Sequence, residues 1–247
     1  MTMIIGISGK KESGKTTFSN YITGLAMVSL KMIPEFNISE EGHLLIGQET
    51  LSVDEVFKRD SRHPLVDLLG PHLKVYNYAE ALKRSVCMDV LGLDEDCFSR
   101  EGKNRPTKYK WKDFRKFLSQ ETKKLAQNRD DELMTNREIM QVVGTDIFRT
   151  IDTDVWVKSC LRRIEREAPK VAIINDVRFV NEVEGIQQKG GHVIRLLRQV
   201  EADSHSSENV LDNYEKFDTV IDNNVLTLEQ TAEKVFNLVK ELSLFNE

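Results

Sequence analysis

The sequence predicts an α/β fold: a P-loop three-layer α/β domain with a mainly parallel sheet between helices, plus a helical, lid-like insertion. Three observations predict it. The apolar run Met3–Ser8 leads straight into Gly9-Lys10-Lys11-Glu12-Ser13-Gly14-Lys15-Thr16, and a helix-spaced stretch from Thr17 to Ala26 follows. Val171-Ala172-Ile173-Ile174-Asn175-Asp176 reads as a strand buried on both faces. Strands and helices alternate through the C-terminal half, and each parallel pair needs a crossover.

The first of these carries chemistry. Residues 9–16 fit G-x-x-x-x-G-K-[ST] in full, in the strand-to-helix setting that the motif requires. Gly9 and Gly14 allow a tight turn and a close approach to an anion. The intervening amides form a nest at the positive end of the helix. Lys15 is expected to reach the β- and γ-phosphates of a nucleotide, and the Thr16 hydroxyl to ligate Mg²⁺.

Composition narrows the class. The chain has 247 residues, enough for one large α/β domain with insertions, and residues 1–247 are expected to form a single domain. A formal charge of −5 gives no general reason to expect nucleic acid as a partner. Cys87, Cys97 and Cys160 have no C-x-x-C spacing, which suggests free thiols in a reducing cytoplasm. The N-terminal apolar run is too short for a signal peptide, and no stretch approaches the ~18 apolar residues of a membrane span.

The remaining elements follow in order. Residues 31–73 contain three prolines and read as a surface insertion, with strands or a hairpin at Leu44–Ile46 and Leu51–Val53. Val75–Ala79 is a strand, and a helix from about Glu80 carries Lys83 and Arg84 beyond its carboxyl end, where open α/β sheets bind ligands. Residues 100–135 form a basic, lid-like segment. Trp111, Phe114 and Leu118 interleave there with the cations of Arg100–Arg129. Three readings fit it: a single-strand nucleic-acid patch, a lid bringing arginines over phosphates, or an amphipathic helix docking Trp111, Phe114, Leu118 and Leu125. A helix over 137–149 is interrupted by Gly144-Thr145-Asp146, and another starts at Asp154 with Trp156 as a packing aromatic. Asp176 ends its strand in the Walker-B manner. A helix bearing Asn181, Glu182 and Glu184 comes next, then strands at His192–Arg198 and Asp218–Asp222. Thr227-Leu228-Glu229-Gln230 is a capping box for the last helix.

Taken together, Gly6–Thr16, Tyr78–Lys83, Gln141–Asp146, Ile174–Glu182, Asp203–Glu208 and Asp218–Asn223 resemble the phage-type deoxynucleoside monophosphate kinases. The likeness runs in order over most of the chain apart from residues 31–73, and D-V-R-F-x-N-E with G-T-D is its most specific part. It implies transfer of the γ-phosphoryl of ATP to a deoxynucleoside 5′-monophosphate, with Mg²⁺, in deoxynucleotide supply for DNA synthesis. It implies a cytoplasmic enzyme, in the host cytoplasm if phage-encoded. Matched by position, Gly9, Lys10, Lys11, Ser13, Gly14, Lys15, Thr16 and Thr17 fall on the ATP side. Leu82, Lys83, Gly144, Thr145, Trp156, Asp176, Arg178, Glu182 and Ser204 fall on the monophosphate side. Lys15, Arg105 and Arg178 are the candidate catalytic residues, and Thr16 and Asp176 the candidate metal ligands.

Two departures bear on these roles. Many members have Asp where this chain has Thr16, which returns it to the ordinary P-loop pattern; Val180 replaces a common proline. Asp176 has two readings, organising Mg²⁺ through water or facing the acceptor nucleoside. Rival functions are a P-loop kinase for another small phosphate acceptor, a nucleotide-hydrolysing switch, and a single-strand binder using Arg100–Arg129. Monomer and homodimer are both open.

Overall fold

A computed structural model describes residues 2–51, 53–57, 63–99, 101–198 and 210–245. The chain divides into two compact units, Met1–Asn77 with Leu161–Glu247, and Tyr78–Cys160.

The first unit is built on five strands: β1 (Met3–Gly9), β2 (Leu73–Tyr76), β3 (Val171–Val177), β4 (His192–Leu197) and β5 (Thr219–Asp222). Their order is β5-β4-β1-β3-β2 and every pair is parallel, the sheet that the sequence predicts. β1 and β3 lie at its centre, where Ile5, Ile7, Ala172, Ile173 and Ile174 are wholly buried. Helices cover both faces, so central strands read as continuous apolar runs rather than alternating ones. On one face Ile5 and Ile7 share a core with Phe18, Ile22 and Met27 of α1 (Lys15–Ser29). Val235 and Leu238 of the C-terminal helix Leu228–Glu241 join the same core. On the other face, Gly6 lets the helix Val180–Gln188 come close: a Cβ there would lie 2.6 Å from Ile186 Cδ1. The C-terminal helix starts with the predicted capping box, Thr227 Oγ1 accepting from the Gln230 amide and Gln230 Oε1 from the Thr227 amide.

Residues 31–73 differ from the expectation in two ways. Asn37–Ile38, Leu44–Ile46 and Glu49–Leu51 make a small antiparallel sheet, and Val53 opens a short helix, Val53–Val56, rather than ending a strand. The two-residue turn at Gly47-Gln48 (Gly47 φ 60°) sets Ile46 opposite Glu49 and so fixes the earlier strand. Nor is the stretch only a surface excursion. Leu44, Val53, Phe57 and Leu69 belong to the main core.

The second unit holds two π-helices, Leu82–Val90 and Val142–Arg149, whose wide turns are rare and cluster at functional sites. The second continues directly from the α-helix Asn136–Gln141, so Gly144 sits inside a continuous helical path rather than breaking it. The single amphipathic helix expected in the basic segment is not formed. Pro106–Lys110 is a strand paired with Leu133–Thr135, and two short helices, Trp111–Phe114 and Gln120–Leu125, lie between them. Ser119 starts the latter by accepting from the Thr122 amide. Trp111, Phe114 and Leu118 are buried as expected, whereas Leu125 is 71% exposed. Among the described residues, no helix is long and apolar enough to cross a membrane.

Candidate active site

β1 ends at Gly9 and α1 begins at Lys15, with Gly14 as its N-cap at φ 94°. A side chain at that φ would be strained, and a Cβ would lie 2.7 Å from Asn223 Nδ2. Between the two glycines, four backbone carbonyls are taken up by side chains. Lys15 Nζ donates to Gly9 O (2.7 Å) and Lys10 O (2.6 Å), Arg198 Nη1 to Glu12 O (3.1 Å) and Asn223 Nδ2 to Ser13 O (2.9 Å). In a trans peptide the N–H points opposite to the C=O, so pinning these carbonyls turns the following amides the other way. The Ser13 amide itself turns back to donate to Lys10 O (3.2 Å), which tightens the loop.

The other loop side chains take different places. Ser13 is wholly buried against Gly9, Thr16 is exposed at the start of α1, and Lys11 is exposed near Glu12. Thr17 is packed against Gly42 of residues 31–73, whose Cβ would lie 2.1 Å from Thr17 Oγ1. Asn20 Nδ2 donates to Gly42 O nearby (2.7 Å). Lys10 Nζ pairs with Asp212 (2.9 Å).

β3 runs beside β1, with Val177 in register with Ser8. Asp176, half-buried, therefore emerges at the same carboxyl edge of the sheet as the loop, where open α/β sheets bind ligands. Arg178 is exposed just beyond it. Glu182 is 3% exposed and accepts from the amides of Arg178 (2.7 Å) and Phe179 (3.1 Å). Its carboxylate thus closes the first turn of the helix Val180–Gln188 and fixes the backbone that carries Arg178.

In the second unit three of the predicted residues meet. A Cβ on Gly144 would lie 2.7 Å from Leu82 Cδ2, so the two π-helices come into close contact at this glycine. Trp156 Nε1 donates to Gly144 O (3.1 Å), and the indole packs on Phe148 with ring centroids 5.3 Å apart. Thr145 is exposed beside this contact. Lys83 Nζ stands 5.9 Å from the centre of the Phe98 ring. Arg105 is largely exposed and pairs with Asp96.

Five cations of the basic segment, Arg105 among them, pair with carboxylates. Lys110 and Lys112 meet Asp131, Arg115 meets Asp130, and Arg129 meets Glu132 and Glu138 while lying over the Trp111 ring. Hydrogen bonding and charge from Lys112 hold the Asp131 carboxyl below its ordinary range.

Ser204 and the rest of 203–208 lie outside the described residues. The sequence reading assigns no role to Arg195, Arg198, Asp212 or Asn223, although all four lie against the loop after β1 or the residues beside it. The available signal was position: Arg195 and Arg198 lie at the carboxyl end of β4, and Asn223 just after β5.

No curated protein sequence matches the chain. The family model of deoxynucleotide monophosphate kinase matches residues 72–235, which takes in β2–β5, both π-helices and most of the C-terminal helix. The chain belongs to the deoxynucleotide monophosphate kinase family.

Proposed function

We propose that the chain transfers the γ-phosphoryl of ATP to the 5′-phosphate of a deoxynucleoside monophosphate. The family assignment supports monophosphate kinase activity in general. The observation that favours ATP as donor is the phosphate loop itself, its carbonyls pinned by Lys15, Arg198 and Asn223, on the strand next to the one bearing Asp176.

Phosphoryl transfer asks a protein for positioning and charge neutralisation rather than covalent chemistry. In this reading the loop amides and Lys10 and Lys15 hold the triphosphate, with Lys15 exchanging its carbonyl partners for phosphate oxygens. Arg178, kept in place by the Glu182 cap, grips a phosphate with its planar fork. Lys83 serves the monophosphate, and Leu82, Gly144 and Trp156 shape its nucleoside pocket. Arg105 neutralises developing charge once it leaves Asp96.

Mg²⁺ fits this donor set. Among the described residues no group of three His, Cys, Asp or Glu side chains could hold a metal alone. That suits Mg²⁺, which usually takes one or two protein ligands and completes its shell with water and substrate phosphates. Thr16 and Asp176 would hold it, and it would supply positive charge to offset that of the phosphates.

The test is ADP formation from ATP and Mg²⁺ with each of the four deoxynucleoside monophosphates and their ribose counterparts. Acceptor-dependent ADP release supports the reading, and release indifferent to every acceptor overturns it. Asp176→Asn separates that residue's two roles: weaker acceptor binding with unchanged Mg²⁺ dependence assigns it to the acceptor.

A further inference from the structure

The phosphate loop touches a charge network that the functional reading does not use. Arg195 of β4 is 6% exposed and sits in register with Ser8 of β1. Its Nη1 donates to Ser8 Oγ (3.0 Å), its Nη2 to Asp212 Oδ1 (2.9 Å), and its guanidinium lies 5.7 Å from the centre of the Phe217 ring. A buried guanidinium held on three sides makes a fixed post. Asp212 is therefore anchored by one oxygen, and its other oxygen, Oδ2, meets Lys10 Nζ at 2.9 Å. The Lys10–Asp212 pair is about one-third exposed on each side, so it is open to exchange with solvent ions and ligands.

We propose that Asp212 is a positioning residue: an anchored counter-ion that holds Lys10 at the loop and that the triphosphate must displace to engage Lys10. The inference rests on the reading of the loop as an ATP site. It makes Asp212 a competitor of the phosphates for one ammonium group, so binding and release of nucleotide are both tempered by the same carboxylate. Product release benefits, because the carboxylate is in place to take Lys10 back from the departing ADP.

Neutralising the competitor should tighten nucleotide binding. Asp212→Asn keeps a carbonyl to accept from Arg195 and removes the charge. Because a partly exposed ion pair is worth at most ~1 kcal/mol, ATP and ADP should bind about two- to five-fold more tightly to Asp212→Asn by titration calorimetry. The effect must run through Lys10, so in a Lys10→Ala background the same change should leave affinity unaltered. Asp212→Glu should restore wild-type affinity. Tighter binding in Asp212→Asn that persists without Lys10, or weaker binding in Asp212→Asn at unchanged melting temperature, overturns the counter-ion role while leaving the ATP site standing. No ATP binding by the wild-type chain overturns both.

Discussion

The phosphate loop and the basic segment both advertise anion binding in sequence, and the structure separates them. Within residues 9–16 only three cations occur, Lys10, Lys11 and Lys15, and the Glu12 and Ser13 carbonyls are held by Arg198 and Asn223, just past the ends of β4 and β5. Residues 100–129 carry eleven cations, yet Arg105, Lys110, Lys112, Arg115 and Arg129 each face a carboxylate of their own unit. Charge count says little about function; the fixed direction of the donors says more.

That contrast can be broken at either end. The largest effect is expected at the loop. Lys15→Ala should lower turnover by roughly 10²–10³, the loss seen when one preorganised charge-stabilising donor is removed. Next comes the π-helix contact of the second unit. Gly144→Ala would push a methyl against the end of the Leu82 side chain, and the helix-propensity gain of alanine offsets that strain. Stability should therefore move by no more than ~1 kcal/mol, read from the denaturant midpoint. A monophosphate KM that rises in the soluble variant would link this contact to the acceptor.

A smaller, pH-dependent effect separates half-buried from exposed ion pairs. Burial pushes the Glu167 carboxyl up, but hydrogen bonds and charge from Lys74 and Arg163 outweigh it and leave the group below its ordinary value. A carboxyl depressed in the folded state stabilises the fold above its unfolded pKa and loses that contribution as pH falls through its folded pKa. Glu167→Gln should therefore destabilise the chain near neutral pH, by a margin that shrinks under acid. Smallest of all, Arg115→Gln breaks an exposed pair with Asp130 and should change stability by no more than ~0.5 kcal/mol and turnover hardly at all. A large loss of activity there would overturn the distinction between the two regions.

The cysteines give an independent check on the second unit's core. Burial, with the neighbouring Cys97, raises the Cys87 thiol to about 12, so it should resist thiol reagents at pH 8 until the chain unfolds.

Where sequence reasoning succeeded, a local pattern carried the information. Val171–Ile174 needs burial on both faces whatever surrounds it, and the G-K-T loop follows its strand by covalent necessity. The capping box at Thr227 and Gln230 involves residues three apart. Failures came where distant residues decide. Residues 106–110 became a strand because Leu133–Thr135 pairs with them, and Leu44 entered the core because of contacts far along the chain. The braces Arg198 and Asn223 lie 186 and 210 residues from the carbonyls they hold. Only the order of strands in the sheet brings them to the loop. The Gly144 signal was legible as an oddity, and its cause, the Leu82 side chain, was not.

The measurement that bears most directly on the account is acceptor-dependent ADP release by the wild-type chain and by Lys15→Ala, under saturating ATP, Mg²⁺ and deoxynucleoside monophosphate. The account predicts release in the wild type that needs a deoxy acceptor and falls by roughly 10²–10³ in the variant. Equal turnover in the two proteins would contradict it, because the transfer would then owe nothing to the phosphate loop.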